Sequence, residues 1–489
     1  MLVKYAKPFD NIIQDIKEVA VKHNYKAYVV GGFVRDMLLG VESSDLDILV
    51  DSEDMHPATA FTKLLEEEGK ASNRAIYENY GTAKVDMHGM KVEFVMPRGE
   101  RYKPDSRKPE VHKVDIHGDA IRRDFTINTL MIDIMTNEII DPTSYGLEDL
   151  QCKILRSANP EIGQMFTDDA LRILRAIRFM ACKGFTPLDS MLEAMEKFAP
   201  RLSIISKERI RDELNKILLS DKPSTAFRVM GATKVLDKVI PEMLPLMTCM
   251  ESPPYHWDES SFEHTMRVLD NVEPKLLLRV AALLHDISKP ETRTVDEKGS
   301  HFYDHQIKGA FKAENIMRTL CYSNDEIKIV HKLIFNHLRP HFYRPNFTDR
   351  AVRKYIYDMG DLLEDSMALA YADTKGSSPE KYEQKGLKNL DDMKERIKVV
   401  MAKPLKFKPL VNGEEICKVF NEKPGPYIGQ VLKYVLELQL ENNEITKEQV
   451  LEKLKSMNIV EIQEVIEKVN LKDSQPWNSK LHKKDLTQG

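Results

Sequence analysis

The stretch KAYVVGGFVRDMLLGVESSDLDILV, residues 26–50, decides how the first part of this chain folds. Lys26–Val30 is a short apolar run with β character that ends on Gly31-Gly32. Phe33–Leu39 reads as the start of a helix, and Asp45–Val50 as a second strand with acids at alternate positions. Side chains two apart on a strand share a face, so Asp45 and Asp47 are expected side by side. Carboxylates held that close repel, and a hard divalent cation such as Mg²⁺ relieves the repulsion. Two such ions can activate an attacking hydroxyl and stabilise a leaving pyrophosphate. The glycine pair lets backbone approach phosphate oxygens, and Arg35 supplies a cation for phosphate charge. A lone D-x-D is ordinarily a solvated edge or turn. Here it follows a Gly-Gly-x-x-Arg-Asp turn and sits inside an apolar run, which favours a phosphate site.

Outward from that stretch, residues 10–23 have amphipathic helical spacing. Residues 83–87 and 91–95 read as two strands joined at His88-Gly89-Met90. The first 150 residues are therefore mixed α/β. Beyond them strand signals fade, and helical periodicity runs through 167–182, 207–219, 264–271, 277–286, 308–320 and 325–338. The Pro-Pro break in ESPPYHW, residues 251–257, and a second break near Lys403–Pro409 punctuate this helical body. The expected organisation is a multidomain chain: an α/β domain over 1–150, a helical neck over 151–250, a second helical domain over 251–400, a helical tail over 401–475 and a disordered end over 476–489. No internal repeat is evident.

Composition narrows the class. At 489 residues the chain exceeds one hydrophobic core, and 42% hydrophobic with 30% charged residues is an ordinary globular balance. No run of 18 apolar residues predicts a membrane span, and MLVKYAKPFDNIIQDI lacks the apolar segment of a signal peptide. The five cysteines are scattered without a C-x-x-C pair, as expected of a reduced, cytoplasmic protein. The net charge of −5 does not advertise a polyanion partner, although it can hide a local basic groove.

Four ordered motifs between about residues 25 and 220 carry a family resemblance. GGFVRDMLLG…SDLDILV resembles the first motif of the class II tRNA nucleotidyltransferase and bacterial poly(A) polymerase family. Arg122-Arg123-Asp124-Phe125-Thr126-Ile127-Asn128 resembles its second. Asp168-Asp169-Ala170-Leu171-Arg172 is similar to its base-recognition motif, with Asp168 where the family usually has Glu. Glu208-Arg209-Ile210-Arg211-Asp212-Glu213-Leu214 resembles the helix that closes the catalytic half. The resemblance implies a nucleotidyltransferase palm in which Asp45 and Asp47 bind Mg²⁺, with Glu93 as a candidate third acid. Gly31, Gly32 and Arg35 are expected to hold a triphosphate, and Arg123 and Asp124 to contact the nucleotide sugar. The segment Arg98–Pro109 resembles a mobile loop of that family.

Asp169 and Arg172 also make chemical sense alone. Three apart on a helix they share a face. Cytosine and adenine each present an amino donor beside a ring-nitrogen acceptor, which suits a carboxylate and a guanidinium. Guanine and uracil present the opposite pattern. The plainer alternative is a surface ion pair, worth little. Arg175 and Arg178 extend the same basic helix and are candidates for phosphate contact, or for a solvated helix face.

Residues 264–373 carry a second constellation. His264, the adjacent pair His285-Asp286 and Asp373 offer imidazole and carboxylate ligands to a divalent transition metal or Mg²⁺. The H…HD…D order and LLHDISKPETR resemble the HD phosphohydrolase superfamily, which implies metal-assisted phosphoester hydrolysis. His305 and His337 are possible extra ligands, or ordinary core histidines. In the tail, Pro424-Gly425-Pro426-Tyr427-Ile428-Gly429 resembles the start of a helix in CCA-adding enzymes. Together these resemblances imply addition of C and A from CTP and ATP to the 3′ end of tRNA. No membrane and no obligate protein partner is expected. A poly(A) polymerase, a partial CC-adding or A-adding enzyme, and an HD hydrolase with a nucleotide-gripping palm stay open as alternatives.

Overall fold

The computed structural model describes residue 5 and residues 9–43, 45–101, 110–251, 259–297, 299–377 and 380–473. Contacts divide the chain into two compact units, Met1–Ile217 with Thr225–Val239, and Leu218–Ser224 with Ile240–Gly489.

The first unit is built on seven strands: β1 (Lys26–Val30), β2 (Leu46–Asp51), β3 (Ser72–Tyr77), β4 (Thr82–Met87), β5 (Met90–Val95), β6 (Met131–Asp133) and β7 (Ile139–Ile140). Their order is β3-β4-β5-β2-β1-β6-β7. Only β2 and β5 run parallel; the other neighbours are antiparallel. Val29, Val30, Ile48, Leu49 and Val50 are buried, which explains why β1 and β2 read as continuous apolar runs in mid-sheet. β4 and β5 meet at a two-residue turn, His88-Gly89, both with positive φ, the geometry that matches the twist of paired strands. The hairpin joint is thus one residue shorter than the sequence suggested, because Met90 already belongs to β5.

Helix α1 (Phe9–His23) buries Ile12, Ile13, Ile16, Val19 and Ala20. α2 (Gly32–Leu38) follows β1 directly, and α3 (Pro57–Glu67) sets Phe61 with its ring 5.8 Å from that of Phe94 on β5. The expected loop Arg98–Pro109 is in part sheet: Arg98–Arg101 pairs antiparallel with Glu110–Lys113, and 102–109 lie outside the described residues.

The periodicity over 167–182 suggested one helix, and the structure makes two. α4 (Ile162–Asp168) stops before Asp169, which is extended at φ −146, and α5 (Leu171–Lys183) restarts after it. The Asp169 carboxylate accepts the Leu171 backbone N–H at 3.0 Å, the local bond by which Asp competes with helix and favours a cap. α5 stops at Gly184, φ +67, a left-handed position that glycine adopts without steric cost. α6 (Lys207–Leu218) completes what this unit brings to the site described below.

The second unit is helical. α7 (Ser261–Asn271), α8 (Leu276–Leu284), α9 (His305–Thr319), α10 (Asn324–Asn336) and α11 (Leu363–Ser377) pack on one another. α8 reads LLLRVAALL and, Arg279 apart, is apolar all round, as suits a helix surrounded by others. Two short antiparallel ribbons, Met250–Glu251 with Glu259–Ser260 and Arg293–Asp296 with Gly299–Phe302, interrupt the helices that the sequence suggested. Toward the C-terminus, α12 (Gly413–Phe420) is capped by Asn412 with Glu415, and α13 (Tyr427–Glu441) starts after Pro426. Ile416, Val431, Val435 and Val450 form their shared core. Apart from Glu251, the expected break at 251–257 lies outside the described residues, as does the tail at 476–489. Among the described residues no helix is long and apolar enough to cross a membrane, and none of the five cysteines is disulfide-bonded.

Candidate functional site

β2 lies between β1 and β5, so Asp47 stands opposite Val30 on one side and Glu93 on the other. Glu93 stands opposite Lys84 of β4, whose ammonium is 2.8 Å from its carboxylate. Cross-strand partners share a face, so Lys84, Glu93 and Asp47 form one row. Burial pushes the Asp47 carboxyl up to about 6, helped by the Glu93 charge and by Asp45, while Arg123 pulls it down. Asp45 is placed differently from expectation. β2 begins at Leu46, and Asp45 is exposed just before it. The β1–β2 ladder ends at the Val30–Asp47 pair, where Gly31 turns away, so nothing holds Asp45 in the strand. Lys84 went unnoticed in sequence: the three-residue joint expected there would set it opposite Phe94, and only the two-residue turn sets it opposite Glu93.

Gly31 has φ +76, and a Cβ there would stand 3.4 Å from Arg123 Nη1 and 3.6 Å from Asp47 Oδ2. Those are ordinary contact distances, so it is the positive φ that calls for glycine here. Arg35 is buried and donates to Asp36 at 3.0 and 2.7 Å and to Asn128 Oδ1 at 2.6 Å, with its guanidinium 4.9 Å from the Phe179 ring centre. Its charge is therefore balanced within the chain. Arg122 and Arg123 both reach the buried Asp119, at 2.6 and 3.0 Å; against the opposing effect of burial they hold that carboxyl below its ordinary value. Asp124 accepts from Arg175 Nε, Asn128 Nδ2 and the Phe125 backbone N–H, each at 2.8 Å. Burial opposes its ionisation, but Arg175 wins and the carboxyl falls to about 2.

Asp169 and Arg172 do not share a helix face, since Asp169 precedes α5. They nonetheless line one cavity. Arg172 donates to the Met165 and Arg122 carbonyls at 3.2 and 2.6 Å, which fixes its plane. Asp169 Oδ2 accepts from Arg209 of α6 at 2.7 Å. Arg209 lies in a motif noted in sequence, but its partner was not foreseeable across 40 residues. Arg178 is 2.6 Å from Glu213 of the same helix. The cavity has a volume of about 510 Å³, within the range of small-ligand sites. Every residue singled out from sequence for this site lines it except Asp45. Arg122 joins them, making six arginines against the four acids Asp47, Glu93, Asp124 and Asp169. Carboxylate oxygens on one wall suit a hard cation; the guanidinium excess suits a polyphosphate.

In the second unit, His264 of α7, His285 and Asp286 after α8, and Asp373 of α11 converge. His264 Nε2 is 3.3 Å from His285 Nε2, 3.2 Å from Asp286 Oδ2 and 3.3 Å from Asp373 Oδ1. His305 and His337 join them, with ligand atoms of Asp286, His305 and His337 all within 4.8 Å of one another, as are those of His264, His285 and Asp286. Lys289, unremarked in sequence, sits 2.8 Å from Asp286 Oδ2 and pairs with the buried Glu251. His341 holds the other oxygen of Asp373 at 3.0 Å. Burial and Lys289 oppose a charge on His264, yet Asp286 and Asp373 raise it to about 10. Burial with neighbouring His305 and His285 pushes His337 down to about 3. This buried pocket demands positive charge, and its nitrogen-rich donors suit a divalent transition cation.

Comparison with known proteins finds three family matches along the chain. Residues 27–156 match the family described as poly A polymerase head domain, 184–247 the one described as probable RNA and SrmB-binding site of polymerase A, and 261–374 the HD domain. The chain is 27% identical to an A-adding tRNA nucleotidyltransferase of Deinococcus radiodurans, over 84% of this chain and 91% of that protein. It is 28% identical to a CC-adding tRNA nucleotidyltransferase of Thermus thermophilus, over 86% and 92%. The fold resembles that of the Bacillus stearothermophilus CCA-adding enzyme solved with CTP, with a TM-score of 0.64 at 21% identity, covering 95% of this chain and all of that one.

Proposed function

Because the chain belongs to the class II tRNA nucleotidyltransferase and poly(A) polymerase family, we propose that its first unit adds C and A from CTP and ATP to the 3′ end of tRNA without a template. One observation carries the proposal: the Asp47–Glu93 row and the Asp169–Arg172 pair face a single cavity. Asp47 and Glu93, with Asp45 beside them, would hold Mg²⁺. Bound there, that ion neutralises triphosphate charge and lowers the pKa of a coordinated hydroxyl. The tRNA 3′-OH attacks the α-phosphate in line and pyrophosphate leaves. Gly31 and Gly32 bring backbone close to the phosphates, while Arg123, Arg175 and Arg178 surround them with positive charge. Arg35 positions Asn128 and Asp36. Asp169 accepts the exocyclic amino group of cytosine or adenine, and Arg172 donates to the adjacent ring nitrogen.

The test is product length on tRNA lacking its CCA end, with CTP alone, ATP alone and both. Full addition requires both nucleotides and stops at three residues. A long A tail would mark a poly(A) polymerase instead. The names of the D. radiodurans and T. thermophilus relatives favour a second reading, a partial enzyme that adds only A or only CC; in that case one nucleotide alone gives the final product.

For the second unit we infer that His264, His285, Asp286 and Asp373 hold a divalent cation and that the site hydrolyses a phosphoester. Asp47→Ala is expected to abolish addition and spare hydrolysis, and His285→Ala to do the reverse. Five cysteines without a disulfide suit a reducing compartment, and we infer a cytoplasmic location.

A further inference from the structure

We propose that Tyr77 and Lys84 seat the single-stranded 3′ end of the RNA, with the tyrosine ring stacked on its last base and the ammonium on the adjoining phosphate. The proposal rests on the transfer reading above and supplies the primer side of that site. Three observations carry it.

The first is the sheet register. Cross-strand partners share a face. Asp47 of β2 stands opposite Glu93 of β5, Glu93 opposite Lys84 of β4, and Lys84 opposite Ala75 of the edge strand β3. Tyr77 lies two residues beyond Ala75 and stands opposite Thr82, two residues before Lys84. Side chains two apart on a strand point the same way, so Tyr77 and Lys84 are diagonal neighbours on the face that carries the acids. Glu93 above all, with smaller contributions from Tyr77 and Asp47, holds the Lys84 ammonium above its ordinary value. The cation is therefore within electrostatic reach of both.

The second is exposure. Tyr77 is 47% exposed and the Lys84 side chain 48%. β3 buries none of its side chains, and Tyr80 in the turn that follows it is also exposed. An ammonium has three donors. Glu93 takes one of them at 2.8 Å, and an outward-facing group with further donors can hold a phosphate as well. Arg98 donates to Thr82 Oγ1 at 3.3 Å, which brings a second cation beside the residue opposite Tyr77. An aromatic ring among cations is the pattern that binds single-stranded nucleic acid, the ring taking a base and the cations its backbone.

The third is the direction of the reaction. In-line displacement sets the attacking and leaving oxygens on opposite sides of phosphorus. Gly31 and Gly32, where β1 ends, lie on one side of Asp47, and β5 and β4 on the other. With the leaving pyrophosphate at the glycines, the attacking 3′-OH arrives from the side of Lys84. Neither Lys84 nor Tyr77 lines the cavity that takes the incoming nucleotide. The last base of the RNA also changes as the end grows. A contact that read its hydrogen-bonding edge would fail at one step or another, whereas a ring stacks on any base.

The experiment uses the full chain with tRNA lacking its CCA end, tRNA ending in C and tRNA ending in CC. Initial rates give KM for tRNA and for the nucleotide separately. Tyr77→Ala and Lys84→Met are each expected to raise KM for tRNA about 10-fold, equally at every end the enzyme extends, with KM for the nucleotide moving by less than about twofold. Lys84→Met should also flatten the dependence of log KM for tRNA on log salt by about one, the worth of one phosphate contact. Tyr77→Phe keeps the ring and should reverse the loss seen with Tyr77→Ala. An unchanged KM for tRNA in either variant would overturn the assignment of that residue. A higher Mg²⁺ requirement or nucleotide KM in Lys84→Met, with tRNA KM unmoved, would show that Lys84 acts only through Glu93. Unequal effects between ends would overturn the stack. A wild-type chain that extends none of the three would overturn the transfer reading and this inference with it.

Discussion

Asp47→Asn is expected to abolish nucleotide addition and, in the presence of a chelator, to make the first unit more stable at neutral pH. The Asp47 carboxyl is raised from 3.8 to about 6, first by burial and then by Glu93. A raised folded value means that the native state binds the proton more tightly than the unfolded chain. The stabilising contribution is therefore present below pH 3.8 and is lost as pH rises through 6. Above pH 6 the metal-free native state carries the full penalty, about 3 kcal/mol at about 1.4 kcal/mol per pH unit. Asn has nearly the same shape and no charge, so the variant escapes that penalty. The difference between variant and wild type should be near zero at pH 4 and about 2–3 kcal/mol at pH 7.5. For a unit of this size about 2–4 °C accompanies each kcal/mol, so calorimetry in chelator should show the variant melting several degrees higher at pH 7.5. Mg²⁺ should close the gap by stabilising only the wild type. A variant that melts no higher than wild type at pH 7.5, or a gap that does not shrink toward pH 4, would refute the account of the carboxylate row.

Three further outcomes are expected. Asp169→Ala should lower selectivity for CTP and ATP over UTP and GTP by about 10- to 100-fold in kcat/KM, the worth of one charge-assisted hydrogen bond, read from single-nucleotide incorporation; Arg209→Met, which strips only the cation on Asp169, should cost less. Asp124→Asn should cost about 2–3 kcal/mol at pH 7. The native carboxyl is held at about 2, so this contribution is present above pH 3.8 and lost as pH falls toward 2, and denaturation at pH 7 and pH 3 checks it. Lys289→Met leaves Glu251 and Asp286 buried with one cation fewer and should destabilise the second unit by about 3–5 kcal/mol, measured by denaturant unfolding of the metal-free chain.

The parts of this molecule that were legible in sequence are those set by short-range pattern. The β1 run, the glycine turn, the hairpin and most helices follow from spacing and turn chemistry over fewer than 20 residues. What escaped was set by register or by distant partners. Asp45 falls off β2 because the ladder ends where Gly31 turns, and a period-two pattern does not say where pairing stops. Asp169 leaves the helix because its carboxylate takes the Leu171 N–H, which periodicity does not register. Lys84 reaches the acids only through the β4–β5 register. Arg209, Lys289 and His341 reach theirs across tens of residues. The metal-type histidines were visible as residue types, but their convergence on Asp286 is a fact of packing.

The arginines of the first cavity carry a further consequence. Arg35 is fixed by Asp36 and Asn128, Arg123 by Asp119, Arg172 by two carbonyls, Arg175 by Asp124 and Arg178 by Glu213. None relies on solvent to hold its direction. A templated polymerase can leave base choice to the opposing strand, whereas a site that chooses by protein contacts alone must hold its donors and acceptors at fixed angles before the nucleotide arrives. The buried acids Asp119, Asp124 and Glu213 supply that rigidity by holding Arg122, Arg123, Arg175 and Arg178 in place. Substitutions at these acids should therefore disturb nucleotide choice as well as stability, because the guanidinium they release is free to turn toward a wrong base.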